Sequence, residues 1–258
     1  MTEQIWLDEP FATRWKGRDV FAKAAALQGE SHRALEQRQT ISFVLEDTRY
    51  FIKRHVRSTW KEVLKNLVQG RLPVVSAENE RVALNRLQAL GIQVPRVVAF
   101  GKRGYTPSTF ESFLITEDVG QHVSLEDYCR HWREQPPDWS AKFRLLEKVA
   151  RISRVMHNAG ICHRDFYLCH FLRMTDGSLA LIDLHRALSK EKLGRRWIIK
   201  DLGGLYFSSK DIGLSRRDLL RFVRCYTGLP LREALKQKGF WRSVVARGEK
   251  LYRKDQRQ

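Results

Sequence analysis

The 258-residue chain is 43% hydrophobic, enough to bury a substantial core, and no apolar run approaches the roughly 18 to 20 residues of a membrane-spanning helix. Its start, MTEQIWLDEP, lacks the basic region and apolar stretch of a secretory signal, and its four cysteines form no CxxC pair, so we expect a cytoplasmic protein with reduced thiols. The net charge is +18, and the 73 residues from Arg186 onward carry 20 basic and 7 acidic side chains. This surplus predicts an anionic neighbour, either nucleic acid, an acidic membrane, a phosphorylated substrate or an acidic protein, unless the basic surface serves solubility alone.

Strand-like patterns dominate the chain up to Asp118. Residues 40–45 and 49–55 alternate in polarity around the polar pair Glu46-Asp47, which predicts a hairpin. Residues 77–90 have helical apolar spacing with Gly91 as a stop signal, and residues 94–100 and 112–116 read as two further strands. We therefore expect a small, strand-rich lobe with one helix among its strands.

Helical patterns take over after Gly120. Residues 143–158 carry one apolar stripe that ends at Gly160 and leads directly into His163. Further along, Ser215 with Asp218 three residues later resembles a capping box that opens another helix.

Four side chains suited to phosphoryl transfer occur in the same order along the chain as in protein kinases. Lys53 lies on the strand YFIKRH, where protein kinases keep a phosphate-binding lysine, and Glu80 on the next helix could pair with it. Asp165, within His-Arg-Asp, would orient the proton of an acceptor hydroxyl. Asp183, eighteen residues later and directly after the strand LALI, takes the place of the magnesium ligand of the DFG motif. Each signal is weak by itself, and their shared order is what predicts a kinase that uses ATP and Mg²⁺.

Further candidates accompany these four. His163 and Arg164 count with Asp165 as catalytic candidates, although His163 could equally be a core histidine bonded to backbone. Arg38, in the turn before the hairpin, and Glu117, at the connector, are candidates for nucleotide binding. His170 stands where kinases have a metal-binding Asn, and a role as metal ligand and a role in hydrogen bonding to Asp165 or to a phosphate both remain open.

The pattern departs from protein kinases in three places. No G-x-G-x-x-G precedes the hairpin, DFG is replaced by Asp-Leu-His, and only 17 residues, with no A-P-E, separate Asp183 from Asp201. A platform for a peptide acceptor is therefore missing, as in small-molecule kinases. Asp201 is expected to accept backbone amides of the His-Arg-Asp loop. We predict a protein-kinase-like α+β fold with an antiparallel-sheet N-lobe over residues 1–118 and a mostly helical C-lobe over residues 119–258.

The sequence also resembles one family over nearly its whole length, the lipopolysaccharide core heptose(I) kinases, or RfaP/WaaP family. The matching runs lie in both predicted lobes and in the same order; they are EPFATRWKGRD, LQGESHRALEQRQT, NLVQGRLPVVSAENE, ICHRDFYLCHFL, LIDLHRA, RRWIIKDLGGLYFSS and DIGLSRRD. His170 agrees with the family pattern HRDxYxCHFL. Two positions differ from it: Phe166 replaces an expected Cys and should pack under the loop, and Gln37 replaces an expected Gly in the nucleotide-covering turn.

The resemblance implies transfer of phosphate from ATP, with Mg²⁺, to the O4 hydroxyl of the first heptose of the lipopolysaccharide inner core. It implies Lys53 as phosphate binder, Glu80 as its partner, Asp165 as base and Asp183 as metal ligand. It also implies a substrate anchored by lipid A, peripheral contact with the cytoplasmic side of the inner membrane, and an acidic acyl carrier protein as partner. We select as membrane-facing candidates Arg195, Arg196, Arg216, Arg217, Arg221 and Arg224.

Other functions remain open at the level of sequence. The acceptor could be Kdo, a second heptose or a protein hydroxyl, and a catalytically silent, basic membrane-binding module is a further alternative. No nucleic-acid motif is present, and the aromatic residues are not interleaved with basic ones, so no nucleic-acid partner is expected.

Overall fold

A computed structural model describes residues 3–35, 38–55, 77–104 and 110–257, with residues 33–35 and 38 described by their backbone alone. The chain divides into two compact units, one of residues 1–88 and 95–119 and the other of residues 89–94 and 120–258. The first unit therefore covers most of the predicted N-lobe, while the short segment 89–94 belongs with the second unit. Gln37 and Glu36, in the turn predicted to cover the nucleotide, lie outside the described residues.

The first unit is built on an antiparallel sheet of six strands in the order β1-β5-β6-β4-β3-β2. The predicted hairpin is confirmed, since Leu45 pairs with Thr48 and the two turn residues between them have positive φ values of 50° and 61°. The strands are β1 Glu3–Leu7, β2 Glu30–Leu35, β3 Arg38–Leu45, β4 Thr48–His55, β5 Val97–Arg103 and β6 Glu111–Glu117. Strand β5 begins three residues later than predicted, beyond Pro95, which has no backbone N–H to donate to a ladder.

One face of this sheet packs on an aromatic core. Tyr50 and Ile52 are buried there with Phe11 and Phe113, beneath two short helices, α1 (Phe11–Arg14) and α2 (Val20–Ala26). Neither these helices nor strands β1 and β2 were predicted, because four to seven residues show too little periodicity to identify an element. Asp19 caps α2 by accepting the backbone N–H groups of Phe21 and Ala22.

The opposite face of the sheet carries Lys53 and meets the predicted helix, α3 (Glu78–Ala89). Its buried residues, Glu80, Ala83, Leu84 and Leu87, recur at helical spacing. Gly91, predicted as the stop signal, has a φ of 72°, a left-handed conformation that glycine adopts without steric cost.

The second unit is mostly helical. Its helices are α4 Leu125–Cys129, α5 Trp139–Asn158, α6 Arg195–Ser208, α7 Arg216–Thr227, α8 Leu231–Ala234 and α9 Lys238–Asp255. Helix α5 starts four residues before the predicted position because Asp138 caps it. The capping box of Ser215 and Asp218 at the start of α7 is confirmed. Among the described residues, no helix combines the length and the hydropathy that crossing a bilayer requires.

Short strands hold the segment that carries the candidate residues. After α5, strand β8 (Ile161–Cys162) pairs with a later strand, β11 (Leu188–Ser189). A hairpin of β9 (Phe171–Met174) and β10 (Leu179–Leu181) adds β7 (His122–Ser124) at its edge. One short 3₁₀ turn lies at Leu168–His170 and another at Leu184–Arg186. Residues 163–170 therefore connect β8 to β9 and residues 182–187 connect β10 to β11, and because these strands are paired the two loops are adjacent.

Candidate active site

The first unit brings together Lys53 and Glu80, as predicted. The Lys53 Nζ donates to Glu80 Oε1 at 2.5 Å, and the two side chains are 16% and 4% exposed. Strand alternation turns Lys53 away from the core that holds Ile52, and the first turn of α3 supplies the carboxylate. A charge pair this deeply buried keeps the ammonium group in one position, since an unpaired ion would be strongly disfavoured there.

Glu117, a nucleotide-binding candidate, has its carboxylate engaged in a structural ion pair. Both of its oxygens accept hydrogen bonds from the guanidinium of Arg96, which also donates to Asp8 Oδ2 at 2.5 Å. The hydrogen bonds that Arg96 donates to Glu117 raise the pKa of Arg96 further above its ordinary value. Arg38, the other such candidate, opens β3 opposite His55, and its side chain lies outside the described part of the structure.

In the second unit, Asp201 anchors the His-Arg-Asp loop, as predicted. Its carboxylate accepts the backbone N–H of His163 at 2.7 Å and that of Arg164 at 2.8 Å, and it lies 3.3 Å from His157 Nε2. Arg164 adopts a φ of 74°, which a non-glycine residue holds only when its surroundings fix it. Burial raises the pKa of Asp201, but the hydrogen bond and charge of His157 and the loop amide outweigh it, so the pKa is lowered and the anchor stays ionised.

His163 is fully buried, in agreement with the alternative of a core histidine bonded to backbone. Its Nε2 lies 2.9 Å from the carbonyl oxygen of Ile182, which can only accept, so Nε2 carries the proton. Burial lowers the pKa of His163, which keeps the ring neutral. This bond ties the loop of Asp165 to the strand that leads into Asp183. Phe166 is buried against Phe171, confirming the expected packing under the loop.

Asp165 is partly exposed and forms an ion pair with Arg186. Its Oδ1 accepts a hydrogen bond from Arg186 Nη1 at 2.8 Å, and the Asp165 side chain is 16% exposed. In the described part of the chain, no hydrogen bond reaches Oδ2 of Asp165. One oxygen is thus held in place while the other can accept a proton.

Asp183 lies beside two histidines. It has a φ of 60°, its Oδ1 accepts from His185 Nδ1 at 2.8 Å, and its Oδ2 lies 3.7 Å from His170 Nε2. His170 Nδ1 lies 2.6 Å from the carbonyl oxygen of Asp165, which can only accept, so Nδ1 carries a proton. The His170 ring therefore lies between the backbone of Asp165 and the carboxylate of Asp183.

The donor set around Asp183 suits a magnesium ion only in part. Among the described residues, no group of three His, Cys, Asp or Glu side chains is arranged to hold a metal. Magnesium commonly takes one or two protein carboxylates and completes its shell with phosphate oxygens and water. Asp183 with His170 fits such a partial set, in which oxygen is the preferred donor and a neutral imidazole a weaker one.

Known proteins resemble this chain over most of its length. The sequence model of the lipopolysaccharide kinase (Kdo/WaaP) family matches residues 22–226. The chain belongs to this family. Its family relatives include the lipopolysaccharide core heptose(I) kinase WaaP of Escherichia coli (strain K12), 47% identical over 238 residues and 90% of each chain. The enzyme of the same name from Pseudomonas aeruginosa is 44% identical over 262 residues and 98% of each chain.

A solved structure supports the same assignment. The structure described as WaaP in complex with acyl carrier protein has a TM-score of 0.85 and 40% sequence identity, and the match covers 96% of this chain and 99% of that one. The predicted kinase-like α+β fold and the family resemblance are both confirmed. This member of the Kdo/WaaP family is thus a phosphotransferase.

Some polar groups that contact the candidate residues were not predicted from the sequence. Arg186 and His185, which contact Asp165 and Asp183, follow the selected Asp183 directly in the run DLHR. Their position next to the metal-ligand candidate was the available signal. Arg96, the partner of Glu117, gave no signal, because the two residues lie 21 positions apart and meet through strand pairing.

Proposed function

We propose that this protein transfers the γ-phosphoryl group of ATP to the O4 hydroxyl of the first heptose of the lipopolysaccharide inner core. The observation that carries the proposal is 44% identity to a heptose(I) kinase along 98% of both chains. Support also comes from the two adjacent loops that present Asp165 and Asp183, and from the buried Lys53–Glu80 pair.

Each candidate residue has a distinct role in this proposal. Asp165 Oδ2 accepts the proton of the acceptor hydroxyl as the hydroxyl oxygen bonds to the γ-phosphorus and the bond to ADP breaks. Lys53, held by Glu80, binds the nucleotide phosphates. His163 and Arg164 position the loop of Asp165 through Asp201 and Ile182. Arg38 remains a candidate for covering the phosphates, and Glu117 contributes through its place at the connector, since Arg96 occupies its carboxylate.

Magnesium belongs with Asp183 and His170 in this proposal. When bound, the ion would neutralise charge on the nucleotide phosphates. Asp183 is pre-oriented for this role by the hydrogen bond from His185, and Nε2 of His170, the ring nitrogen that does not bond to the backbone of Asp165, lies 3.7 Å from Oδ2 of Asp183. A competing possibility, in which His170 only bonds to the backbone of Asp165, is separated by metal titration: His170→Ala would then bind Mg²⁺-nucleotide as tightly as the wild type.

Labelled ATP tests the proposed acceptor. Purified protein is incubated with unphosphorylated lipopolysaccharide core or with a generic protein acceptor, and the labelled core is analysed by mass spectrometry. We expect label on the first heptose alone. Label on Kdo, on a second heptose or on protein would assign the acceptor otherwise, and no label on any acceptor would favour a silent basic module.

We further propose an acyl carrier protein as partner, by analogy with the solved complex of the similar structure. The second unit contains an apolar cavity of about 280 Å³ among helices α5, α6, α7 and α9. Leu146, Val149, Leu205, Leu220 and Val244 are among its lining residues, and these suit an acyl chain better than a polar ligand. Leu220→Trp should fill this space. Gel filtration is expected to show weaker co-elution of that variant with acylated carrier protein than of the wild type, and equal co-elution would contradict the cavity's role.

We also propose peripheral contact with the cytoplasmic side of the inner membrane, where a lipid A-anchored acceptor would be located. The basic surplus after Arg186 supports the proposal, because cations near an anionic leaflet each contribute to binding.

A further inference from the structure

Three cations lie around one indole, and a fourth, Arg186, holds Asp165. Over the ring of Trp197, in the first turn of α6, lie the guanidinium carbon atoms of Arg164 and Arg196, at 5.7 and 4.8 Å from the centroid, and the Nζ of Lys200, at 5.9 Å. Arg164 also contacts the carbonyl oxygen of Arg186, the residue that holds Asp165. We call these five residues the Trp197 cluster: Arg164, Arg186, Arg196, Trp197 and Lys200.

Positive charge in the Trp197 cluster exceeds the negative charge next to it. Among the described residues, Asp165 is the one carboxylate that forms an ion pair with any of the four cations, through Arg186. The first turn of α6 carries no acidic residue. Asp201 lies on the same helix, but its buried carboxylate already accepts the amides of the His-Arg-Asp loop.

Repulsion between like charges adds to burial in lowering pKa values within the cluster. Burial lowers the pKa of Lys200, and the charges of Arg164 and Arg186 lower it further. Burial and then Arg186 likewise lower the pKa of Arg164. Like charges are kept this close only where other contacts hold them, here the π-face of Trp197. An anion that entered the cluster would relieve the repulsion.

We infer that the Trp197 cluster binds a carboxylate or phosphate group of the acceptor saccharide, next to the hydroxyl that faces Asp165. The inference rests on the proposed kinase function and adds that the acceptor is recognised as an anion. Guanidinium groups bind carboxylates and phosphates through paired, charge-assisted hydrogen bonds, which suits Arg196 at the exposed side of the cluster. Arg186 belongs to the cluster and also contacts Asp165. Because of this, an anion bound in the cluster places the neighbouring hydroxyl near Asp165.

Kinetics of the full-length enzyme test the inference. Arg196→Gln and Lys200→Gln remove one charge each without altering Asp165 or Arg186. We expect each to raise KM for core saccharide that lacks phosphate on its first heptose but keeps its other phosphates about tenfold, with kcat and the KM for ATP within about twofold of the wild type. Arg195→Gln is the matched control, because the Arg195 guanidinium lies over Phe240, 5.2 Å from its centroid, instead of over Trp197. It should behave like the wild type.

Chemically modified acceptors identify the anion. One core saccharide has its carboxylates converted to amides, and another has its phosphates removed. The modification that abolishes the difference in acceptor KM between the wild type and Arg196→Gln identifies the group that is bound. The inference would be overturned if this difference in acceptor KM persists with both modified saccharides, or if the substitution changes the KM for ATP instead.

Equilibrium binding separates this inference from the proposed function. Isothermal titration with core saccharide in the absence of ATP needs no turnover, so it reports on the cluster even if no transfer to heptose is found. The wild type should bind more tightly than the Arg196→Gln/Lys200→Gln double variant, with similar unfolding curves for both. Binding no tighter than that of the double variant would refute the anion site.

Discussion

Asp165 shows how one residue is prepared for a single task. Arg186 holds Oδ1 at 2.8 Å and fixes the plane of the carboxylate, while Oδ2 has no hydrogen-bond partner in the described chain. His170 bonds to the backbone carbonyl of the same residue at 2.6 Å. The carboxylate is therefore fixed in orientation, which suits the proposed role of Asp165 as general base.

Asp165→Asn tests this assignment, because an amide has the same shape as the carboxylate but cannot take up a proton. We expect kcat to fall by roughly 10²- to 10⁴-fold with an unchanged KM for ATP, in steady-state assays with core saccharide. Asp183→Ala should also abolish transfer, by weakening binding of Mg²⁺-ATP. Circular dichroism provides the folding control. Turnover near that of the wild type in Asp165→Asn would show that another group acts as the base.

Lys53 and Glu80 form a charge pair whose partners depend on each other. At 4% exposure, Glu80 without its cation would be a buried and uncompensated charge. We therefore expect Lys53→Met to lower the free energy of unfolding by about 3 kcal/mol in addition to abolishing activity. Urea titration measures the loss.

Two comparisons sharpen that measurement. In the double variant Lys53→Met/Glu80→Met much of the stability should return, because neither charge of this pair is left without the other. The control is Lys236→Met, which breaks the pair with Glu233, at 68% and 46% exposure, and should cost less than about 1 kcal/mol. Equal losses in Lys53→Met and Lys236→Met would refute the buried-pair interpretation.

At the scale of elements, helix α6 fixes the catalytic loop through one side chain. Asp201 is fully buried on this helix and satisfies two consecutive backbone amides of the loop, including that of Arg164 in its left-handed conformation. The conformation of the loop is therefore set by a residue 37 positions away from Arg164.

Asp201→Ala should remove this anchor and leave two buried N–H groups without acceptors. We expect a loss of about 3 kcal/mol in the free energy of unfolding, together with a large fall in kcat. Asp255→Ala, at an exposed position near the end of α9, is the control and should change neither quantity. Full activity of Asp201→Ala would mean that the loop holds its shape without the anchor.

At the scale of the whole molecule, the basic surplus is presented on helices of the second unit. Arg217 and Arg224 on α7 are exposed, and no carboxylate pairs with them in the described residues. Arg221, by contrast, donates to Asp218 at 3.0 Å and lies over Trp139, so it is less available to an anionic surface. A groove of about 930 Å³ between α5 and α7 adds Arg151 and Arg154 to the same side.

Vesicle binding tests whether this surface contacts a membrane. Replacing Arg217 and Arg224 with Ser should weaken binding to anionic vesicles by roughly 2 kcal/mol at low salt, and by less at high salt, because exposed charges are screened. Lys16→Ser/Arg18→Ser, with the same change of charge on the first unit, is the matched control. If both double variants lose equal affinity, net charge and not the α7 surface is responsible.

The amino-acid sequence by itself determined the features that depend on local pattern. Alternation in YFIKRH placed Lys53 opposite Ile52, Ser215 and Asp218 predicted their capping box, and chain order singled out Asp165 and Asp183. These signals are readable because strand period, helix period and cap chemistry operate within a few residues. The family resemblance extended the same local matches along the chain.

Tertiary structure decided what lies next to these residues. Several contacts form only when separate strands, loops and helices come together. They are the contacts of Arg186 with Asp165, of Arg96 with Glu117, of His170 with Asp183 and of the cations with Trp197. Charge pairing of this kind depends on distance in space and on side-chain direction, and a linear sequence specifies neither until the backbone is folded. Sequence thus identified the acid–base and phosphate-binding candidates, whereas the fold decided which of their atoms are held and which are left to react.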